Sequence, residues 1–409
     1  MSELKVCVVG LGYIGLPTAV VVAKAGHYVS GVDVSEEVVR QVNSGAAHFQ
    51  EPDLDAELAD VVNRKLLVAG TEVPPSDIFM ICVPTPVHLS DDGAEADMSY
   101  VNAAADRIAP MVKDGDIVIL ESTSPVGATD ELQKRFDSML PKDVRVTVAY
   151  CPERVLPGHI MVEMINNSRV VGCNDTAIRS KIVDFYRSFV EGEVLETPTK
   201  TAEMCKLVEN SYRDVNIAFA NELSILCDED GIDVWELIRV ANRHPRVNIL
   251  SPGAGVGGHC IAIDPWFIVA RSPKEARIIK MARVTNDEKT DWVINRIQNK
   301  LDELRGLLGR EPKLACLGVA FKPDVDDLRG APALRVYRHF LDAGIETMAV
   351  DPMLDNSPSV VTVPFEEAVP AADVIVSLVA HSAFKSSASL TLLEGRDVFD
   401  CCGLLSDEQ

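Results

Sequence analysis

The sequence predicts an α/β protein in which two doubly wound domains are joined by a central helical domain. Three observations carry this. Short apolar strand-like runs alternate with helical patterns from the start of the chain, the alternation stops near Thr197-Pro198-Thr199, and it returns from Lys313 onward. Alternating strands and helices build parallel sheets covered by helices, whereas helical periodicity alone does not. At roughly 150 residues per domain, a chain of 409 residues has room for segments at 1–197, 198–308 and 309–409.

In the first segment, 5–9 and 28–33 read as strands, and 14–25 and 36–43 as helices. Further strands are expected at 78–83, 117–121, 144–149 and 169–172. From 202 to 241 the strand signal vanishes. A Pro/Gly-rich loop at 251–258 follows, then a helical pattern running to about Leu308. The helix at 203–222 is apolar on most sides (Leu207, Val208, Val215, Ile217, Phe219), which predicts burial. The last segment repeats the style of the first, with strands at 313–319, 346–351, 373–379 and 397–400 and a helix at 331–343.

Composition bounds the partners. Hydrophobic residues make up 47% and charged residues 25%, as in soluble globular proteins. The net charge of −23 disfavours nucleic acid and anionic membrane, and is compatible with a high-salt cytoplasm. Ser2-Glu3-Leu4-Lys5 runs straight into a strand, so no leader is expected, nor any bilayer-spanning stretch. A cytoplasmic location follows. None of the ten cysteines forms a CxxC pair. Cys7, Cys82, Cys173, Cys227 and Cys316 lie in apolar runs, as small buried hydrophobes do in a reducing compartment.

The first candidate site is Gly10-Leu11-Gly12-Tyr13-Ile14-Gly15, between a strand and a helix. Gly10 allows a tight turn, Gly12 lets backbone approach a pyrophosphate, and Gly15 lets the helix pack on the sheet. The helix N-terminus offers free N–H groups to phosphates. Asp33 ends the next strand, where a carboxylate bonds a ribose 2′-OH and repels a 2′-phosphate. The pattern predicts a Rossmann-like domain that binds NAD rather than NADP, with Tyr13 and Ile14 in the same turn. Thr85 and Thr123, in loops that end two later strands, are candidates for the nicotinamide half or for plain turn residues.

A second group clusters around Cys260. It follows Gly253-Ala254-Gly255-Val256-Gly257-Gly258-His259 and precedes a helical pattern, a setting that favours thiolate character. A structural cysteine is the alternative. Lys206, Asn210 and Arg213 share one helix face. Arg243, His244 and Arg246 precede the Gly-rich loop, and Pro245 is expected to push His244 into an extended loop. They suit a diphosphate or a helix C-terminus. Lys322 and Arg329 flank an acidic turn that is either ligand-bearing or a salt-bridge cluster.

In order along the chain stand GLGYIGLP, the STSPVG loop, YCPERVLPG, the Lys-x-x-x-Asn helix, GGHCIAIDP and GVAFKPDVDDLR. Together they resemble the UDP-glucose/GDP-mannose dehydrogenase family over essentially the whole chain. Segments 210–222 and 241–249 are similar to its branch that acts on UDP-N-acetylmannosamine. The UDP-glucose branch typically carries phenylalanine and lysine where Ile261 and Ile263 stand here, which disfavours glucose.

The resemblance implies a four-electron oxidation of a UDP-sugar at C6. One hydride goes to NAD, Cys260 traps the aldehyde as a thiohemiacetal, a second hydride goes to a second NAD, and water releases the carboxylate from a thioester. It implies that Lys206 and Asn210 stabilise the oxyanion, that Asp264 handles protons and that Glu153 activates water. Arg154, Val155, Arg213, His244, Arg246, Gly257, Phe321 and Lys322, with Lys206 and Asn210, would bind the UDP-sugar, and Arg329 would reach NAD. No metal is expected. Long helices between two domains also suggest a homodimer. Alternatives are a UDP-N-acetylglucosamine or UDP-glucose 6-dehydrogenase, a two-electron β-hydroxyacid-type dehydrogenase, and a non-catalytic nucleotide-sugar binder.

Overall fold

Strand β1, Lys5–Val9, is buried on both faces after its first residue. Val6 and Val8 join a core with Leu16, Val20 and Met80, while Cys7 and Val9 join another with Phe79, Val118 and Phe136. Successive strand side chains point to opposite faces, so a continuous apolar run feeds two cores, as in a sheet with helices on both sides. Fully burying a phenylalanine such as Phe79 or Phe136 stabilises by about 2–3 kcal/mol.

In the computed structural model, which describes residues 3–90, 93–156, 158–258, 260–355 and 357–406, the chain packs as two units. One is Met1–Val208 with Trp266–Arg271; the other is Glu209–Pro265 with Ser272–Gln409.

The first unit contains β2 (Tyr28–Val32), β3 (Leu67–Gly70), β4 (Ile78–Ile81), a hairpin of β5 (Val87–Ser90) and β6 (Gly93–Ala96), β7 (Ile117–Leu120), β8 (Thr147–Tyr150), β9 (Arg169–Gly172) and β10 (Val194–Thr197). Its main sheet runs β3-β2-β1-β4-β7-β8-β9-β10. The order reverses between β1 and β4, which opens a crevice at the carboxyl ends of those strands. The sheet is not wholly parallel: β9 pairs antiparallel with β8, and β10 runs parallel to β9. Strands β3 and β10 escape the sequence pattern because each is a four-residue sheet edge with exposed positions, Val68 and Leu195 among them.

Helix Thr199–Asp230 begins in the first unit and continues in the second. It is not buried on most sides. Tyr212 is 73% exposed, Phe219 57% and Leu226 51%, spaced seven apart on one face. Of the apolar residues that predicted burial, Leu207 is buried and Val215 and Ile217 are half-buried, while Val208 and Phe219 are exposed, so the helix buries one side and shows an apolar stripe on another. The helical run expected from 259 to 308 is broken. Helix Asp264–Arg271 ends before Pro273, and helix Arg277–Leu308 closes at Gly309 in the left-handed conformation. A second, four-stranded sheet contains β11 (Leu314–Leu317), β12 (Thr347–Val350), β13 (Val374–Ser377) and β14 (Val398–Asp400), in the order β12-β11-β13-β14 and all parallel.

Candidate active site

The turn after β1 is shaped by the absence of side chains. Gly10 has φ +94°, and a Cβ there would lie 2.6 Å from the Cys82 carbonyl oxygen. A Cβ on Gly15 would lie 1.8 Å from the Gly10 oxygen. A Cβ on Gly12, by contrast, would meet no protein atom within 4 Å. Packing therefore requires Gly10 and Gly15, and leaves open backbone at Gly12 for a phosphate group. Helix Gly15–Lys24 has no side-chain cap at its N-terminus. Leu16 N donates to the Gly12 carbonyl at 3.1 Å and Pro17 has no N–H, so it is the positive end of the helix dipole, with the glycine turn before it, that suits an anion. Asp33 Oδ2 accepts from Leu11 N at 3.0 Å and Oδ1 from Ser35 N at 2.9 Å, which holds the half-buried carboxylate beside the turn. Tyr13 stacks on Phe49 with centroids 4.2 Å apart, and Ile14 packs against the core. The donors and the cradle fit a dinucleotide.

The loops carrying Thr85 and Thr123 are tied together, because Ser122 Oγ donates to the Val83 carbonyl at 2.7 Å. Two buried carboxylates beside these loops were not foreseen. Glu203 accepts from Gly127 N (2.6 Å), Thr129 N (2.7 Å) and Thr129 Oγ1 (2.6 Å), capping helix Ala128–Met139. It lies far away in sequence, so no local capping signal announces it. Glu121 accepts from Tyr186 Oη at 2.8 Å, Thr18 Oγ1 at 3.3 Å and Cys82 Sγ at 3.3 Å. Burial pushes its carboxyl above the usual range, with Arg169 opposing.

In the second unit, the Gly-rich loop is anchored from its first residue. Gly253 N donates to Asn221 Oδ1 (2.8 Å), Asn221 Nδ2 to Asn286 Oδ1 (2.8 Å), and Asn286 Nδ2 to Asp214 Oδ1 (2.8 Å), where Arg283 also donates at 2.6 Å. Thr290 Oγ1 donates to the Ala254 carbonyl at 2.8 Å. Gly255 has φ +137°, and a Cβ there would lie 2.4 Å from Thr290 Oγ1. A Cβ on Gly257 would lie 2.6 Å from the Gly330 oxygen, and one on Gly258 would lie 3.1 Å from the Phe321 ring. The glycines thus have a packing role that the sequence reading did not see.

His259 lies outside the described residues. Cys260 is the one exposed cysteine among the described residues. Its carbonyl accepts from Ile263 N at 3.1 Å and Asp264 N at 2.8 Å, turning the chain into helix Asp264–Arg271. Asp264 is 3% exposed, and its Oδ2 accepts from Asn210 Nδ2 at 2.6 Å. Lys206 stands one turn before Asn210 on the same helix, half-buried, and Arg213 is exposed.

Other candidates sit in varied settings. Helix Val234–Ala241 ends before Arg243, and His244 lies in successive turns rather than extended backbone: His244 N donates to Ala241 O at 3.0 Å and Val247 N to His244 O at 3.0 Å. The Asn242 amide clamps Ile249, accepting from its N–H at 2.7 Å and donating to its carbonyl at 3.0 Å, and this closes the loop that exposes Arg243, His244 and Arg246. Glu153 is buried in an ion pair with Arg169 and accepts from Arg154 N at 2.7 Å. Arg154 donates to the Ser168 carbonyl, and Val155 packs against the first unit's core. Lys322 lies 5.6 Å from the centroid of Phe321. The Arg329 fork pairs with Asp327, at 2.6 and 2.9 Å.

Comparison with known proteins matches three models of the UDP-glucose/GDP-mannose dehydrogenase family: its NAD binding domain over residues 4–190, its central domain over 200–288 and its UDP binding domain over 315–407. A UDP-N-acetyl-D-mannosamine dehydrogenase of Yersinia pestis is 48% identical over 404 residues, covering 94% of this chain and 96% of its own. An NDP-N-acetyl-D-galactosaminuronic acid dehydrogenase of Ralstonia nicotianae is 45% identical over 420 residues, covering 98% and 96%. The solved UDP-D-ManNAc dehydrogenase of Pyrococcus horikoshii superposes with a TM-score of 0.87 at 35% identity, covering 99% of this chain and 96% of that one.

Proposed function

The chain belongs to the UDP-glucose/GDP-mannose dehydrogenase family, and from that premise we propose that it oxidises C6 of UDP-N-acetyl-D-mannosamine to a carboxylate through a covalent bond to Cys260. NAD, when bound, accepts a hydride in each of two oxidations. Gly10, Gly12, Tyr13, Ile14, Gly15 and Asp33 hold it, with Thr85, Thr123 and Arg329 completing the set.

The chain's own residues do the rest. After the first oxidation the Cys260 thiolate adds to the C6 aldehyde and forms a C–S bond. Lys206 and Asn210 donate to the oxygen as it gains charge. After the second oxidation C6 is a thioester. Water attacks it with help from Glu153, the C–S bond breaks, and the thiolate leaves. Asp264 takes up and returns protons. Arg154, Val155, Arg213, His244, Arg246, Gly257, Phe321 and Lys322 bind the UDP-sugar. Segments 1–197, 198–308 and 309–409 serve NAD, catalysis and the UDP moiety in turn.

The observation that carries this reading is the exposure of Cys260 alone among the described cysteines, beside the Asn210–Asp264 pair. None of the ten cysteines is in a disulfide, which suits a reducing cytoplasm, and no helix among the described residues is long and apolar enough to cross a membrane. The stripe Tyr212, Phe219, Leu226 supports a homodimer through the long helix, which light scattering tests.

The Ralstonia relative, by its name, favours a second reading, oxidation of an N-acetylgalactosamine sugar. A panel of UDP-N-acetylmannosamine, UDP-N-acetylgalactosamine, UDP-N-acetylglucosamine and UDP-glucose with NAD separates them. The expected result is fastest turnover of the mannosamine sugar with two NADH per sugar. A ratio of one would overturn the four-electron mechanism, and faster turnover of another sugar would move the substrate.

A further inference from the structure

The two sheets repeat one turn with two outcomes. Gly10 N donates to Val32 O at 2.7 Å, and Gly318 N donates to Val350 O at 2.7 Å. Asp33 Oδ2 accepts from Leu11 N, and Asp351 Oδ2 accepts from Val319 N at 2.8 Å. Asp33 Oδ1 accepts from Ser35 N, and Asp351 Oδ1 accepts from Met353 N at 3.0 Å. The backbone logic is the same, but the exposure is not. Asp33 is half-buried. Asp351 is buried, and its Oδ2 also takes Ala320 N at 3.1 Å and His381 Nε2 at 3.1 Å. Where the half-buried first carboxylate would be reachable by a ribose diol, the second is met by a histidine of the same chain.

His381 is itself fully buried and reaches further. Its Nδ1 accepts from Asp324 N at 3.0 Å. A backbone N–H only donates, so the ring proton sits on Nε2 and points to Asp351. The neighbouring Ser382 donates from N (2.9 Å) and Oγ (2.6 Å) to the Asp324 carboxylate. Asp324 has φ +60°, a conformation that non-glycine residues adopt only when surrounding contacts hold them there. Phe321 and Lys322 lie between the two anchor points, and the Phe321 ring packs on Gly258.

We propose that His381 is a positioning residue for the nucleotide half of the substrate: bonded to Asp351 and Asp324 at once, it fixes the turn that presents Phe321 and Lys322. The proposal rests on the reading that Phe321 and Lys322 bind the UDP moiety. It predicts that weakening the pin lowers affinity for UDP and leaves the NAD site alone.

Titration calorimetry of the full chain with UDP, together with the KM for NAD, tests it. Lys322→Ala checks the reading: if UDP affinity is unchanged, the assignment of this turn falls and the proposal falls with it. His381→Ala is expected to weaken UDP about tenfold, the scale of one or two lost hydrogen bonds, with the KM for NAD unchanged. His381→Asn, whose Oδ1 stands near the place of Nδ1, is expected to recover part of that loss. If Lys322→Ala weakens UDP and His381→Ala does not, the proposal alone is overturned. A rise in the KM for NAD equal to the loss of UDP affinity overturns it as well, since that is general destabilisation. Should His381→Ala fail to fold, Ser382→Ala decides: weaker UDP binding supports the pin, and unchanged binding overturns it.

Discussion

Asn210 Nδ2 donates to Asp264 Oδ2 at 2.6 Å, joining the long helix to the first residue of the helix that follows Cys260. A buried carboxylate depends on its donors, because desolvation is costly when one is lost. Asn210→Ala removes this one. The expected stability loss is about 1–3 kcal/mol, seen in thermal melts, and kcat is expected to fall by more than its change in KM. Asn210→Asp places a second carboxylate there and should shift the acid limb of the pH–rate profile upward.

Cys260→Ser keeps the loop and weakens the nucleophile. Carboxylate formation is expected to fall by about 10³-fold or more. NADH released per sugar, read with product mass, checks this. Unchanged turnover to carboxylate with two NADH would overturn the thioester route through Cys260, whereas one NADH per sugar with no carboxylate would favour the two-electron alternative.

Burial pushes the Lys289 ammonium down to about 8. It donates to Ser224 Oγ at 2.8 Å and lies 3.7 Å from the Trp292 ring centroid. A lysine depressed in the folded state binds fewer protons there than in the unfolded chain between about pH 8 and 10. Its cost is therefore fully present below pH 8 and relieved as pH rises through that window. Lys289→Met should be more stable than the parent at pH 7, by at most on the order of 2–3 kcal/mol, with the difference shrinking toward pH 10. Denaturant unfolding of both proteins across pH 7–10 measures it.

Gly255→Ala would set a Cβ 2.4 Å from Thr290 Oγ1, in a left-handed backbone. Stability should drop by about 2 kcal/mol or more, with activity lost first because the loop leads to Cys260. Adding Thr290→Ala relieves the clash but not the backbone, so a double-mutant cycle should show partial recovery.

Asp33→Ser removes the carboxylate beside the cofactor turn. The expected result is a KM for NAD raised about tenfold and a smaller penalty for NADP, since repulsion of a 2′-phosphate is gone. Initial rates with both cofactors decide it.

Much of this was legible in residues alone. The glycine turn, Asp33 and the alternation of apolar runs are local patterns, and local patterns report local geometry. The parallel strands expected at β1, β2, β4, β7 and β11 to β14 all form. The short edges β3 and β10 stayed hidden because pairing with a neighbour, not their own composition, makes them strands. The burial of helix Thr199–Asp230 was overstated because apolar residues facing outward look the same in sequence as apolar residues facing in.

The sequence by itself determined the strand–turn–helix unit at Gly10, the motifs around Cys260 and the family they belong to. Those depend on residue type at fixed spacing. Only the tertiary structure decided that Asp264 answers to Asn210, that Glu203 caps a helix more than seventy residues away, that Gly255 yields to Thr290, and that Asp351 is sealed by His381 where Asp33 is not. Each is a contact between residues distant along the chain. Its existence depends on how packed elements bring side chains to within a few ångströms, which spacing along a sequence does not record.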